Sequence, residues 1–197
     1  MKEIIIATKN RGKMKDFEGL FATLNIKVTS LLDLPEEIED IEETGTTFEE
    51  NAAIKAEAIC EKFGIPVIAD DSGLEVDALN GEPGVYSARY AGEQKDDQAN
   101  LQKVLSRLEG VPDSKRTARF VCVLAVANPG ELTIFKRGEC EGKIGHKPAG
   151  DNGFGYDPIF YPIESDRTMA EMAPAEKNKI SHRRKALDQL VNWVREQ

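Results

Sequence analysis

Two adjacent aspartates follow a strand-like segment and could bind a divalent cation or activate a water molecule. The segment Pro66–Asp70 is predicted to be a buried strand that ends at Asp70-Asp71-Ser72-Gly73. Adjacent side chains on an extended chain point to opposite faces, so we expect only one carboxylate to face a given site. Mg²⁺ prefers oxygen ligands and commonly takes one or two carboxylates together with substrate phosphates. Because strand ends in α/β proteins often bind ligands, this interpretation is favoured over a solvated turn.

A second acidic segment could supply a further metal ligand. Glu42-Glu43-Thr44-Gly45 lies within a strongly acidic run from residue 36 to residue 50. Such a run usually forms a solvated face, and we expect that for most of it. The choice between Glu42 and Glu43 as a ligand stays open at this point.

A helix is predicted directly after the acidic run. Thr47 followed by Glu50 is typical of a capping box, which marks the start of a helix. Asn51 and Lys55 lie one turn apart on this helix and are therefore neighbours on one face. The default expectation for them is a pair on the protein surface.

The segment Thr8-Lys9-Asn10-Arg11-Gly12-Lys13 could bind phosphate. It lies between a predicted strand, Ile4–Ala7, and a predicted helix, Gly12–Leu24. The first turn of a helix presents free N–H groups and the positive end of the helix dipole, which suit an anion. The Walker A spacing of glycines and lysine is absent. The alternative is an ordinary strand-to-helix turn with solvated lysines.

A glycine-rich loop carries an aromatic residue that could stack on a base. Its sequence is Gly150-Asp151-Asn152-Gly153-Phe154-Gly155-Tyr156-Asp157-Pro158. Glycines on both sides of Phe154 allow the backbone to approach a ligand closely. The ring is either a core side chain or a stacking platform, and base stacking contributes about 1–3 kcal/mol. Asp157 could accept a hydrogen bond from a ring N–H.

A basic group stands out near the end of this acidic chain. Its members are Lys177, Lys179, His182, Arg183, Arg184 and Lys185. Ser181 is a predicted N-cap, which places His182 and Arg183 in a first helical turn, where the helix dipole disfavours cations. That local conflict favours a bound anion or polar ligand.

Composition excludes several classes of function. The chain has 35 acidic and 26 basic side chains, a formal charge of −9, which disfavours binding to nucleic acid. The apolar run Val121–Ala127 is too short to span a membrane, and no signal peptide is expected. Cys60, Cys122 and Cys140 show no Cys-x-x-Cys spacing, which favours reduced thiols and a cytoplasmic location.

The pattern of predicted elements indicates an α/β fold. The chain opens with strand, helix and strand, the last at Ile26–Leu31. Two long strands, Thr117–Asn128 and Leu132–Cys140, are predicted to pair across a turn at Pro129-Gly130. A mixed sheet with flanking helices is therefore expected. The 197 residues suffice for one large domain or two small lobes.

Taken together, these segments resemble the inosine triphosphate pyrophosphatase family, which removes non-canonical purine nucleotides. The resemblance covers nearly the whole chain, and several segments in one order make it specific. The matching segments are residues 7–13, 42–45, 48–52, 69–74, 83–89 and 153–158, with Lys177 and residues 180–183.

The resemblance implies that residues 1–197 form a single nucleoside-triphosphate pyrophosphatase domain, an α/β fold with two lobes that enclose a nucleotide cleft. It also implies a homodimer and a Mg²⁺ cofactor. The expected reaction is hydrolysis of ITP, dITP or XTP between the α- and β-phosphates, giving the monophosphate and pyrophosphate.

The resemblance also assigns roles to residues. Asp71 resembles the general base and, with Glu42 or Glu43, the metal site; Glu43 is favoured. The remaining positions resemble substrate contacts. Those for phosphate and sugar are Thr8, Asn10, Lys13, Lys55, Ser72 and Lys177. Those for the base are Phe154, Asp157, His182 and Arg183, with Asp157 facing the base from the other lobe. The neighbouring Lys9, Arg11, Gly12, Gly155 and Tyr156 complete the predicted substrate-binding set.

Two alternatives are weighed against this hypothesis. A Maf-like pyrophosphatase of other nucleotides is disfavoured by the Phe154 loop and by Ser181-His182-Arg183. A nucleotide sensor without hydrolysis is disfavoured by Glu43 and Asp71, because a sensor needs no general base. Donors aimed at O6 of a 6-keto purine would meet an amino group in adenine, so strong rejection of ATP is expected.

Overall fold

Six strands form one mixed sheet in the computed structural model, which describes residues 3–22, 25–34, 36–163 and 165–196. The strands are β1 (Glu3–Ile6), β2 (Lys27–Ser30), β3 (Val67–Val76), β4 (Thr117–Ala127), β5 (Ile134–Ile144) and β6 (Phe160–Pro162). Their order is β2-β1-β3-β4-β5-β6. β1 pairs in parallel with β2 and β3, whereas β5 and β6 are antiparallel. The predicted mixed sheet is confirmed.

Five α-helices accompany the sheet within the described residues. They are α1 (Arg11–Ala22), α2 (Phe48–Phe63), α3 (Asp97–Arg107), α4 (Pro174–Ile180) and α5 (His182–Arg195). The predicted end of the first helix, Leu24, lies outside the described residues. None of the helices described is long and apolar enough to cross a membrane.

The structure corrects the prediction that a strand ends at the aspartate pair. The predicted strand Pro66–Asp70 does not end there, because one strand, β3, continues from Val67 to Val76. Both faces of β3 are buried along nearly its whole length, which is typical of an interior strand. The two acids are tolerated there because lysines and polar groups contact them, as described below.

The chain divides into two compact units, each with its own buried residues. The first comprises Met1–Asp71, Val123–Arg137 and Ala186–Gln197, and the second comprises Ser72–Cys122 and Gly138–Lys185. Ile5, Phe17 and Ile59 are among the fully buried side chains of the first unit. In the second unit, Leu74, Leu101, Phe120, Phe160 and Met169 belong to one hydrophobic core.

Candidate active site

The register of the parallel strands brings the Thr8–Lys13 segment beside the aspartates of β3. Ile6 of β1 lies opposite Ile68 of β3, so the chain that leaves β1 runs alongside Asp70. There the Lys13 ammonium binds the Asp70 carboxylate at 2.7 Å. Residues 57 positions apart in sequence thus meet because two strands share an edge.

Asp71 is buried among groups that change its affinity for a proton. Burial raises the pKa of Asp71 to about 6, and the carboxylates of Glu43 and Asp70 add to this rise. The Lys55 ammonium and a hydrogen bond from Asn51 lower the same pKa and so oppose it. A carboxyl group with a pKa near the working pH is well suited to general base catalysis. Asp71 therefore combines burial with a pKa in the range that suits general base catalysis.

Lys55 connects the aspartates to the acidic segment. Its ammonium donates a hydrogen bond to the backbone oxygen of Asp70 at 2.6 Å and lies 2.8 Å from the Glu43 carboxylate. Burial lowers the pKa of Lys55, but Asp70, Asp71 and Glu43 together raise it above its ordinary value. The ammonium therefore stays charged despite its burial.

The prediction that Asn51 and Lys55 form a pair on the protein surface is wrong. Asn51 is fully buried, and only 17% of the Lys55 side chain is exposed. Both residues contact the aspartates of β3, because α2 turns the face that carries them toward that strand and away from solvent.

Asn51 also holds the acidic segment against α2. Its Oδ1 accepts a hydrogen bond from the Gly45 N–H at 2.8 Å. A Cβ atom on residue 45 would lie 2.6 Å from Asn51 Oδ1 and 2.6 Å from the Glu50 Cβ, so this approach requires glycine. The same segment brings Glu43 to Lys55, whereas the Glu42 side chain is exposed.

The start of α2 is fixed by the predicted capping box, which is confirmed. Thr47 Oγ1 accepts a hydrogen bond from the Glu50 N–H, and Glu50 Oε2 accepts one from the Thr47 N–H. Because this start is fixed, Asn51 and Lys55 have defined positions along the helix.

The donor set around Asp71 fits a magnesium ion bound jointly with phosphate. Glu43 and Asp71 are close enough for one carboxylate to raise the pKa of the other, which marks a local excess of negative charge. Among the described residues, no three acidic, histidine or cysteine side chains form a complete metal site. Mg²⁺ commonly completes its shell with water and substrate phosphates, so two carboxylates suffice.

The segment after β1 caps the start of α1 through two side-chain acceptors. Asn10 Oδ1 accepts a hydrogen bond from the Lys13 N–H at 3.1 Å, and Thr8 Oγ1 accepts one from the Asn10 N–H at 3.0 Å. Gly12 occupies the first turn of α1. Such a turn suits an anion. Of its predicted basic side chains, Lys9 forms an ion pair with Asp40, and Arg11 is exposed.

In the second unit, the Phe154 loop presents an aromatic ring to solvent. The Phe154 side chain is 68% exposed, so it is not a core side chain. The Lys177 ammonium lies 5.0 Å from the centre of its ring and forms an ion pair with the buried Asp157. Asp157 Oδ2 also accepts a hydrogen bond from the Phe154 N–H at 3.0 Å. The structure thus brings together three of the predicted residues, Phe154, Asp157 and Lys177.

Two predicted base contacts lie at the start of α5. Ser181 Oγ accepts a hydrogen bond from the Arg184 N–H, so the predicted N-cap is confirmed. The His182 ring stacks on Phe120 with 5.1 Å between ring centres, and Arg183 is half-buried. Asp157 was expected in the other lobe, but it belongs to the same unit as His182 and Arg183. Phe120, on which the His182 ring stacks, belongs to the same unit.

The remaining predicted residues differ in their surroundings. Ser72 is half-buried in β3, directly after Asp71. Tyr156 belongs to the hydrophobic core, and its hydroxyl donates a hydrogen bond to the backbone oxygen of Ser87 at 2.7 Å. These contacts favour a structural role for Tyr156 over a role in substrate binding. The Gly155 N–H donates to Asp97 Oδ2, a residue that the sequence prediction did not include.

Comparison with known proteins decides the family. A model of the Ham1 family matches residues 4–193 of this chain. The chain belongs to the Ham1 family. A relative from Oceanobacillus iheyensis, named dITP/XTP pyrophosphatase, is 63% identical over 194 residues, which are 98% of each chain. The resemblance found in the sequence is thereby confirmed.

Solved Ham1 structures share the whole fold. The Staphylococcus aureus Ham1 protein is 48% identical, with a TM-score of 0.92 over 99% of both chains. A HAM1 protein from Coxiella burnetii is 46% identical, with a TM-score of 0.94 over all of both chains. The α/β architecture described above is therefore that of the Ham1 family.

Proposed function

We propose that this Ham1 protein is a dITP/XTP pyrophosphatase, which hydrolyses dITP, ITP and XTP to the monophosphate and pyrophosphate. The observation that carries the proposal is the buried Asp71 beside Glu43 and Lys55, in a chain 63% identical to a protein named for that activity. A carboxylate poised near neutral pH can activate water, and nearby ammonium groups can stabilise phosphate charge.

The residues proposed for the phosphates and those proposed for the base have separate roles in this reaction. In the first unit, Asp71 orients or deprotonates the attacking water, while Lys13 and Lys55 supply positive charge near the phosphates. Glu43 and Asp71 would hold Mg²⁺, which when bound neutralises part of the triphosphate charge. In the second unit, the exposed Phe154 ring stacks on the purine.

Selection of the base follows from the start of α5. Arg183 lies in the first turn of this helix and supplies a charged donor there. Donors near O6 favour 6-keto purines and leave an unpaired polar group when adenine is bound, which lowers the affinity for ATP.

The decisive experiment is a pyrophosphate-release assay with Mg²⁺ across dITP, ITP, XTP and the four common ribonucleoside triphosphates. We expect rapid pyrophosphate release from the first three and little from ATP. Release of single phosphate, which leaves a diphosphate, would contradict the proposed bond. Tight binding of dITP without hydrolysis would instead indicate a sensor, and preference for a pyrimidine would indicate Maf-like activity.

We also infer a cytoplasmic homodimer. The three cysteines are buried and form no disulfide in the described part of the chain, which fits a reducing compartment. The dimer rests on the resemblance of the sequence alone. Sedimentation velocity at micromolar concentration should give about twice the mass of the 21.8 kDa chain, and a monomer would contradict it.

A further inference from the structure

Two adjacent aspartates at the start of α3 have different partners. Asp96 caps the helix, since its side chain accepts hydrogen bonds from the Gln98 N–H at 2.9 Å and the Ala99 N–H at 3.1 Å. Asp97, the first residue of α3, instead reaches another segment: its Oδ2 accepts a hydrogen bond from the Gly155 N–H at 2.8 Å. One aspartate therefore stabilises the helix, and the other anchors the Phe154 loop.

The hydrogen bond to Asp97 adjoins the aromatic residue of the loop. The N–H of Phe154 donates to Asp157, and the N–H of the next residue, Gly155, donates to Asp97. Gly153 and Gly155 both have positive φ, at 76° and 60°, so the backbone on each side of Phe154 adopts a conformation that only glycine accepts readily. Two carboxylates thus hold consecutive peptide groups of a turn built from glycine.

The Phe154 ring depends on this backbone for its position. Its side chain is 68% exposed, so little packing restrains it. Before the turn, Asn152 donates hydrogen bonds to the backbone oxygens of Ala170 and Met172. After the turn, the side chain of Tyr156 is buried. Between these anchors, two groups from outside the loop restrain it. The Lys177 ammonium lies 5.0 Å from the centre of the Phe154 ring, and Asp97 binds the backbone next to Phe154.

We propose that Asp97 is a positioning residue for base recognition, which acts through the Gly155 N–H to hold Phe154 where a purine stacks. This inference rests on the proposed function, in which Phe154 stacks on the base. A loop held in its binding conformation loses less conformational entropy when the ligand binds. Asp97 therefore contributes to the binding of the base and leaves the chemical step at Asp71 unchanged.

Three variants separate this role from helix stability. Asp97→Ala should raise the KM for dITP roughly three- to tenfold, because part of one charge-assisted hydrogen bond is lost, with kcat within about twofold. Asp97→Asn retains an oxygen acceptor and should restore KM to within about twofold of the unaltered enzyme. The matched control, Asp96→Ala, should lower Tm but leave KM unchanged, because it removes only the cap.

The same variants give results that would overturn the proposal. A KM for Asp97→Ala no higher than that of Asp96→Ala would show that Asp97 serves only the helix. An Asp97→Asn enzyme as impaired as Asp97→Ala would show that the hydrogen bond is not what matters. A fall in kcat with constant KM would place the effect in the chemical step.

A second measurement tests Asp97 without any substrate. Trp193 is the single tryptophan of the chain, so the double variant Phe154→Trp, Trp193→Phe carries its only tryptophan in the loop. Adding Asp97→Ala should lower its steady-state fluorescence anisotropy, while adding Asp96→Ala should not. Equal anisotropy in both would overturn the role of Asp97. If the enzyme fails to hydrolyse dITP, the proposed function fails, and the anisotropy still decides whether Asp97 holds the loop.

Discussion

The ammonium of Lys55 lies 2.8 Å from the carboxylate of Glu43. The sequence favoured Glu43 over the adjacent Glu42 only by resemblance. In the structure Glu43 forms this ion pair, whereas the Glu42 side chain is exposed. Glu43 therefore belongs to the cluster around Asp71.

A pair of matched variants tests which glutamate binds metal. Glu43→Gln should lower kcat/KM at least roughly tenfold and raise the Mg²⁺ concentration required for half-maximal activity, since it removes a charged ligand. Glu42→Gln should stay within about twofold of the unaltered enzyme on both measures. Titration of pyrophosphate release with Mg²⁺ makes the comparison, and the reverse pattern would assign the metal to Glu42.

Gly45 should be intolerant of a side chain although it takes no part in chemistry. Gly45→Ala would place a Cβ atom 2.6 Å from both Asn51 Oδ1 and the Glu50 Cβ, so the segment must move. We expect a loss of unfolding free energy of about 1–3 kcal/mol and a lower kcat, because Glu43 moves with the segment. Urea denaturation measures the first quantity. Thr44→Ala, at an exposed neighbouring position, is the control, and equal effects of the two changes would contradict the argument.

Asp71→Asn should abolish most turnover while the fold is retained. If Asp71 is the general base, kcat should fall on the order of 10²–10⁴-fold, and loss of a metal ligand could deepen this. The fold should tolerate the change because burial disfavours the charged carboxylate, and asparagine removes that cost. Circular dichroism and a Tm near that of the unaltered protein are the accompanying measurements. Near-normal turnover would remove Asp71 from the mechanism.

Arg183→Ala tests where the base is selected. The change should lower kcat/KM for dITP and ITP far more than kcat/KM for ATP, which is already a poor substrate. The ratio of kcat/KM for ITP to kcat/KM for ATP should therefore fall at least roughly tenfold. One lost hydrogen bond to a charged donor is worth about 1.5–3 kcal/mol. An equal slowing of ITP and ATP would identify Arg183 as a phosphate contact or a structural residue.

The elements of the fold were largely predictable because their signals are local. The capping box of Thr47 and Glu50 and the N-cap at Ser181 both depend on residues three positions apart, and both are confirmed. The break predicted within β3 was wrong for the opposite reason. Asp70-Asp71-Ser72-Gly73 has the composition of a turn, but Lys13 and Lys55, which come from distant segments, make the acids tolerable inside a strand.

The same limit applies to the candidate site. Asn51 shows no local signal that separates a surface amide from a buried one, and its role depends on contacts with Gly45 and with Asp71. Tyr156 was included because it adjoins Phe154 and Asp157, whereas its side chain is turned into the core. Asp97 lies 58 residues from its partner Gly155, and sequence spacing could not connect them.

Because the cap fixes the start of α2, the position of each later side chain depends on how many residues separate it from that cap. An α-helix turns about 100° per residue, so one residue inserted between the Thr47 cap and Lys55 would rotate the lysine by that angle away from Glu43 and Asp70. A substitution in this turn changes one side chain, but an insertion or deletion would displace every group further along the helix relative to the cap. Relatives that keep the activity should therefore differ here in composition and agree in length.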